Sequence, residues 1–240
     1  MNKILVINSM LWSFILWHYY IKQCLIKQKL RRSLQGSPEF KTIKKMEGVI
    51  KQLYNNSEAY VLSRKACKKL GVQGNDFVYG EIEFLSFCAI LQRVNPKQSD
   101  VFYDLGCGSG KAVLTAALCF KLSKAFGVEL LPELYHLANK QLKKARDLGA
   151  DIKQLDCIQF LNNDYLNCNF SEATILFINA TCINEQNWTD LLNKIAKLPI
   201  GSRVVITSKQ IQDVQFKLLS ASKEQMSWGQ ATVNSYLKTS

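Results

Sequence analysis

The chain has 240 residues, 48% of them hydrophobic and 21% charged, with 12 Gly and 4 Pro. That length supports one full α/β domain with its own core plus a short appendage; it excludes a disulfide-dependent mini-protein, a low-complexity chain and a multi-span channel. The net charge of +12 is uneven: residues 1–75 hold 14 Lys/Arg against Glu39, Glu47 and Glu58, whereas the rest hold 17 Lys/Arg against 16 acids.

The first element in chain order is residues 4–21, ILVINSMLWSFILWHYYI, with no formal charge unless His18 protonates. About 17–25 largely apolar residues cross a bilayer as a helix. Trp17, Tyr19 and Tyr20 close the run, and Lys22, Lys27, Lys29, Arg31 and Arg32 follow, against Lys3 alone on the other side. Interfacial aromatics and the positive-inside rule predict a single N-terminal membrane span with the body cytoplasmic. Competing readings are a mitochondrial or other organelle-targeting segment, and a buried helix, which Asn8, Ser9 and Ser13 favour; nuclear localisation is a further alternative. A cleaved signal peptide lacks its small-x-small site. The basic residues between 22 and 69 predict an anionic neighbour: lipid, nucleic acid or an acidic protein.

Gly36-Ser37-Pro38 breaks the first helix. Ile43, Met46, Val49, Ile50 and Leu53 recur at spacings of three and four and predict a second. Ser57 to Leu70 is another basic helical stretch, and Val78-Tyr79-Gly80-Glu81 precedes an apolar helix. From Asp100 strands and helices alternate. Strands are expected at 101–105, 125–130, 158–165, 174–179 and 203–208, helices at 111–120, 132–148 and 186–198, and a terminal hairpin over 216–237. This order predicts a doubly wound, mostly parallel sheet with ligands at the carboxyl ends of its strands. The expected divisions are 1–32, a hydrophobic helix with a basic flank; 33–98, a basic helical subdomain and lid; and 99–240, the α/β domain.

Eight cysteines without a C-x-x-C pair, and only two histidines, make a metal site unexpected. Most of the cysteines sit in apolar runs and read as small core residues in a reducing compartment.

The sharpest motif is Asp104-Leu105-Gly106-Cys107-Gly108-Ser109-Gly110-Lys111, which follows a strand and opens a helix. Glycines there allow a tight turn and close backbone approach to a ligand. The third glycine of the dinucleotide fingerprint would fall on Lys111, and the Walker spacing is absent. The motif resembles the first motif of class I S-adenosylmethionine-dependent methyltransferases. That cofactor carries an amino group that Asp104 can take. Glu129, 19 residues beyond Gly110, suits the two ribose hydroxyls. Asp164 suits the adenine amino group, with Tyr165 or Phe160 packing on the ring.

Tyr-Gly-Glu (79–81), the glycine loop, Gly-Val-Glu (127–129), Asp164-Tyr165, Phe-Ile-Asn (177–179) and Ser227-Trp228 occur in the order and approximate spacing of one family. Over residues 76–240 the chain resembles the Dot-type, non-SET histone-lysine methyltransferases. The resemblance implies a Rossmann-like seven-stranded fold, preceded by a small helical segment, and methyl transfer from S-adenosylmethionine to a protein lysine; a monomer is expected. It also implies that Tyr79, Gly80 and Glu81 form a lid. Asp104, Gly106, Gly108, Gly110, Lys111 and Glu129 then hold the cofactor, with Asp164 and Tyr165 at its adenine. Asn179 lies beside the transferring methyl, and Tyr79 and Tyr236 wall the lysine channel. The chain departs from the family pattern at Lys111, Ala180, Thr181 and Ser235. The acceptor implied is a histone or, as in membrane-anchored relatives, a membrane carrier or ATP synthase protein; a non-catalytic cofactor-binding adaptor is the reading of another class.

Overall fold

Five parallel strands and a C-terminal antiparallel hairpin make one seven-stranded sheet in the computed structural model, which describes residues 2–55, 58–69 and 79–240, with side chains in the first helix from Trp12 and from Phe14 onward. The strands are β1 (Val101–Leu105), β2 (Lys124–Glu129), β3 (Ile158–Asn162), β4 (Ile175–Asn179), β5 (Arg203–Thr207), β6 (Phe216–Met226) and β7 (Gly229–Lys238). Their order is β3-β2-β1-β4-β5-β7-β6, and β7 runs antiparallel to both β5 and β6. The order reverses direction between β1 and β4, where open α/β sheets leave a crevice at the strand ends.

Eight α-helices accompany the sheet among the described residues: α1 (Asn2–Leu34), α2 (Phe40–Tyr54), α3 (Glu58–Lys69), α4 (Phe84–Val94), α5 (Lys111–Phe120), α6 (Pro132–Asp147), α7 (Ile152–Asp156) and α8 (Glu185–Ile195). Local chemistry sets several of their starts. Pro132 sits in the first turn of α6, where its missing N–H costs nothing. The Asp151 side chain accepts from Lys153 N at the head of α7, and Asn184 accepts from Asn187 N at the head of α8.

Period-two alternation along the strands divides the apolar side chains between two cores. Phe102, Ile175, Phe177 and Val205 face α4 and α5, whereas Tyr103, Leu176, Ile178, Val204 and Ile206 face α8. The first core continues without a break into Leu34, Ile43, Met46, Ile50 and Leu53. The expected divisions at 32/33 and 98/99 therefore fall inside one packed body of side chains. The observed fold is the mostly parallel, doubly wound α/β sheet expected, with strand and helix ends shifted by no more than three residues. The short helices at 152–156 and 180–182 are additions.

The N-terminal span needs correction. Among the described residues no helix is long and apolar enough to cross a membrane. The side chains of residues 1–11 and 13 lie outside those described. From Trp12 on, the described stretch carries His18, Tyr19 and Tyr20 and ends at Lys22. The helix does not stop at the basic flank; it runs on to Leu34, which is fully buried in the first core.

Asp100 ties together the entries of three strands. Its carboxylate accepts from Thr174 Oγ1 at 2.7 Å, from Lys97 N at 2.6 Å and from the Arg203 guanidinium. Both charged side chains are largely buried. Removing one partner of such a pair strands the other charge in a poorly solvated site, at a cost of about 3–5 kcal/mol. Asp100→Ala is expected to lose that amount in urea unfolding monitored by circular dichroism.

Candidate active site

The chain leaves β1 at Leu105, turns through residues 106–110 and enters α5. Gly106, Gly108 and Gly110 all have positive φ. At Gly108 a Cβ would also stand 2.5 Å from the Tyr79 ring, so a side chain is excluded twice over. The turn aims its backbone at the end of β2. Gly106 N and Cys107 N donate to Val128 O at 2.8 and 3.0 Å, and Gly108 N donates to Glu129 Oε2 at 2.7 Å. Leu131 N donates to Glu129 Oε1 at 2.9 Å. Each Glu129 oxygen thus accepts one backbone N–H and keeps acceptor capacity for a ligand.

Tyr79, Gly80 and Glu81 lie over this turn as a strap. The Glu81 carboxylate accepts from the Tyr79 hydroxyl, from Ser109 Oγ at 2.7 Å and from Lys111 Nζ at 3.1 Å. Tyr79 stacks edge-on against Tyr60 of α3, centroids 5.1 Å apart. Burial, then the Glu81 charge, pushes its phenol well above the ordinary range. The strap's other support comes from the C-terminus. Glu81 N donates to Ser227 Oγ at 3.0 Å, Ser227 N donates to Glu81 O at 2.8 Å, and Ile82 bridges Met226. The Trp228 ring lies so close to Gly80 that a Cβ there would be 1.9 Å from it.

These parts enclose a cleft of about 250 Å³ that brings together Tyr79, Gly80, Glu81, Asp104, Gly106, Gly108, Lys111, Glu129, Asp164, Tyr165 and Asn179. Asp164 Oδ1 accepts from Leu166 N at 2.8 Å. Phe160 is buried beneath Gly110 and Gly127, which leaves Tyr165 as the aromatic on the cleft wall. Gly110 lies behind the lining, at the head of α5. Tyr236 is not brought to the cleft. It is buried in the second core, and its hydroxyl accepts from Ile211 N at 3.2 Å. Its expected place in a channel wall is corrected by the pleat: Tyr236 pairs with Val204 and shares the α8 face of the sheet with it. The lining also includes Ser63 of α3, Leu131 and Leu134 at the head of α6, and Ile183, Asn184 and Asn187 after β4. The apolar spacing of Leu131 and Leu134 beside Pro132 was a usable signal for that wall; nothing in the sequence marks Ser63.

Asp104 and Glu129 dominate the electrostatics. Asp104 is 3% exposed and lines the cleft, and among the described residues its carboxylate has no hydrogen-bond partner. Burial, then the charge of Glu129, raises its pKa well above the ordinary 3.8. Burial raises that of Glu129 as well, opposed by the N–H groups of Leu131 and Gly108. A carboxyl whose folded pKa is raised contributes stability that is complete below its unfolded pKa and lost as pH rises through the folded value. Asp104→Asn removes that loss. The variant is expected to melt above the wild type at neutral pH, with a gap that closes towards pH 3.8, as scanning calorimetry across pH will show.

A family model described as "Histone methylation protein DOT1" matches residues 68–240. A histone-lysine N-methyltransferase, H3 lysine-79 specific, of Eremothecium gossypii is 30% identical over 112 residues, which are 44% of this chain and 20% of the relative. A protein-lysine N-methyltransferase of Saccharolobus islandicus is 33% identical over 119 residues, covering 48% of this chain and 66% of the relative. Among solved structures, TrmN from Thermus thermophilus superimposes with a TM-score of 0.54 at 21% identity over 68% of this chain and 51% of that one. An RNA methyltransferase from Salinibacter ruber in complex with S-adenosyl-L-homocysteine gives 0.51 at 22% identity, over 64% and 90%. These two likenesses establish the class I methyltransferase fold. The family model covers most of the chain, and the chain belongs to the DOT1 histone methylation protein family.

Proposed function

We propose that this chain is an S-adenosylmethionine-dependent protein-lysine N-methyltransferase. The observation that carries the reading is Asp104: a buried carboxylate with no hydrogen-bond partner among the described residues, beside Glu129, in a cleft at the strand ends of a methyltransferase fold. A bare buried carboxylate calls for a cation, and the cofactor's amino group is one. Glu129 keeps a free acceptor site on each oxygen for the ribose hydroxyls, and Asp164 and Tyr165 are on the lining for the adenine. Tyr79, Gly80 and Glu81 would cover the bound group, with Lys111 holding the strap through Glu81.

When bound, the cofactor supplies an electrophilic methyl group on a cationic sulfur. The chain's own task is to present a nucleophile. A free lysine has a pKa near about 10.4 and is mostly protonated at neutral pH. Ile82, Leu105, Leu131, Leu134, Phe177 and Ile183 give the cleft apolar wall, which disfavours the ammonium. Among the described lining residues there is no histidine. The reading therefore rests on desolvation and positioning, with the proton lost to water before transfer. Asn179 is the residue we assign to the acceptor amine. The relatives' names share a protein lysine as acceptor, and that is the class carried over here, rather than a lipid or a nucleic acid; histone H3 is the first substrate to test.

The test is to incubate the full chain with radiolabelled S-adenosylmethionine and nucleosomes, a membrane extract or tRNA in parallel, then digest and identify the labelled product by mass spectrometry. Methyl-lysine is expected; label on a nucleic-acid base or lipid headgroup, with none on lysine, would overturn the reading. Glu129→Ala should weaken cofactor binding by about 1.5–3 kcal/mol in calorimetry, the scale of hydrogen bonds to a charged acceptor. Asn179→Ala should lower kcat by roughly 10²–10³ and leave cofactor affinity nearly unchanged, as when one positioning hydrogen bond to a transition state is lost.

A further inference from the structure

Asn179 ends β4 and Thr207 ends β5, and the two are direct partners in the parallel register. Thr207 is fully buried. Its hydroxyl lies 3.1 Å from Ala180 N and 2.6 Å from Asn179 Oδ1. A backbone N–H can only donate, so Thr207 Oγ1 accepts there, and its single proton is left for Asn179 Oδ1. On the amide's other side, Asn179 Nδ2 is 3.2 Å from Gly80 O, which can only accept. Both neighbours demand the same orientation of the amide. Turning it over would set oxygen against oxygen at Gly80 and leave the Thr207 proton only the longer contact to Thr181 Oγ1 at 3.5 Å.

A third hydroxyl reaches the same oxygen. Thr181 Oγ1 is 2.9 Å from Asn179 Oδ1 and 3.0 Å from Ser208 Oγ. Thr181 has one hydroxyl proton and three acceptors within reach, the third being Thr207 Oγ1 at 3.5 Å. Ser208 has a φ of +64°, unusual for a residue with a side chain, and its N–H is bonded to Thr232 O at 2.9 Å. Thr181 and Ser208 are exposed, whereas Thr207 is sealed in the sheet. One bond to Asn179 Oδ1 is therefore fixed and the other exchangeable.

We propose that Thr207 is a positioning residue for methyl transfer: it fixes the Asn179 amide so that Oδ1 is available to the acceptor amine once the Thr181 proton turns to Ser208. An amine that donates an N–H to this oxygen has its lone pair directed elsewhere, free to attack. The proposal rests on the lysine-methyltransferase reading and assigns the acceptor contact within that site.

Thr207→Val keeps the side-chain shape and removes the hydroxyl; Thr207→Ser restores it. Folding of each variant is checked by S-adenosylhomocysteine binding in calorimetry, and Thr207→Ala replaces the valine variant should that one fail to bind. In protein labelled with ¹⁵N-asparagine, the Asn179 side-chain amide signals are identified by their loss in Asn179→Ala. Thr207→Val is expected to shift these signals and speed their exchange with water, and to lower kcat on nucleosomal or extract acceptor about tenfold, the scale of one hydrogen bond. The KM for S-adenosylmethionine should stay within about twofold, and Thr207→Ser should recover both readouts. Unchanged Asn179 signals and unchanged kcat in Thr207→Val overturn the proposal. If the wild type itself methylates no lysine, the functional reading fails, and the amide signals alone then decide whether Thr207 holds Asn179.

Discussion

Two carboxylates held side by side at the end of a parallel sheet are the constraint around which this molecule is arranged. Asp104 pairs with Gly127 across β1 and β2, and Glu129 follows two residues later, so the register puts both acids in the same crevice. The fold treats them differently. Glu129 receives an N–H from the glycine turn and another from the start of α6, whereas Asp104 receives none among the described residues. The sheet and its two apolar cores must carry that unfavourable burial. This is the familiar exchange in which a binding site is kept at some expense to stability, and a cationic ligand is what relieves it.

The cover over those acids is assembled from opposite ends of the chain. Glu81 gathers Tyr79, Ser109 and Lys111 and so ties the strap to the glycine turn. The tip of the β6–β7 hairpin holds the same strap from outside, through Ser227 on the backbone of Glu81 and through the Trp228 ring against Gly80. Gly80 O then receives the Asn179 amide. One dipeptide of strap thus touches the glycine turn, the end of β4 and the last hairpin. The three meet at Gly80 and Glu81, although the glycine turn and the hairpin tip are more than a hundred residues apart in sequence.

Much of this was legible in the sequence because it is local. The strand cores are short apolar runs, the glycine turn has a fixed spacing after β1, and Glu129 stands at the end of the next strand. Ser227-Trp228 could be singled out as a motif, but its partner could not, since a hairpin tip says nothing about which distant backbone it will meet. Tyr236 shows a second limit. Neighbouring strand residues face opposite sides, and a shift of one position exchanges them; only the pairing of Tyr236 with Val204 reveals that the phenol belongs to the α8 core, which leaves its neighbour Ser235 on the other face of the strand. The N-terminal helix shows a third. Its hydrophobic composition suggested a span, but composition did not reveal that the helix continues to Leu34 and lodges there in the domain core.

The charges that remain in the cleft bear on why the proposed chemistry needs no strong base. Lys111 is spent on Glu81 at 3.1 Å, and both side chains are mostly buried, so the strap adds little net charge to the space beneath it. Asp104, Glu129 and Asp164 are then the cleft acids without a cationic partner among the described residues, and a bound cofactor would meet the first two through its amino group. Its sulfonium is a second positive centre in the same cleft. A lysine arriving as an ammonium would bring a third, in surroundings where apolar wall weakens solvation and Coulomb repulsion is little screened. The neutral amine escapes both penalties. Selection between the two protonation states is thus made by the electrostatics of entry. What the chain must still supply is a hydrogen-bond acceptor that fixes the direction of the amine's lone pair, and the hydroxyl-held amide of Asn179 is the acceptor we propose.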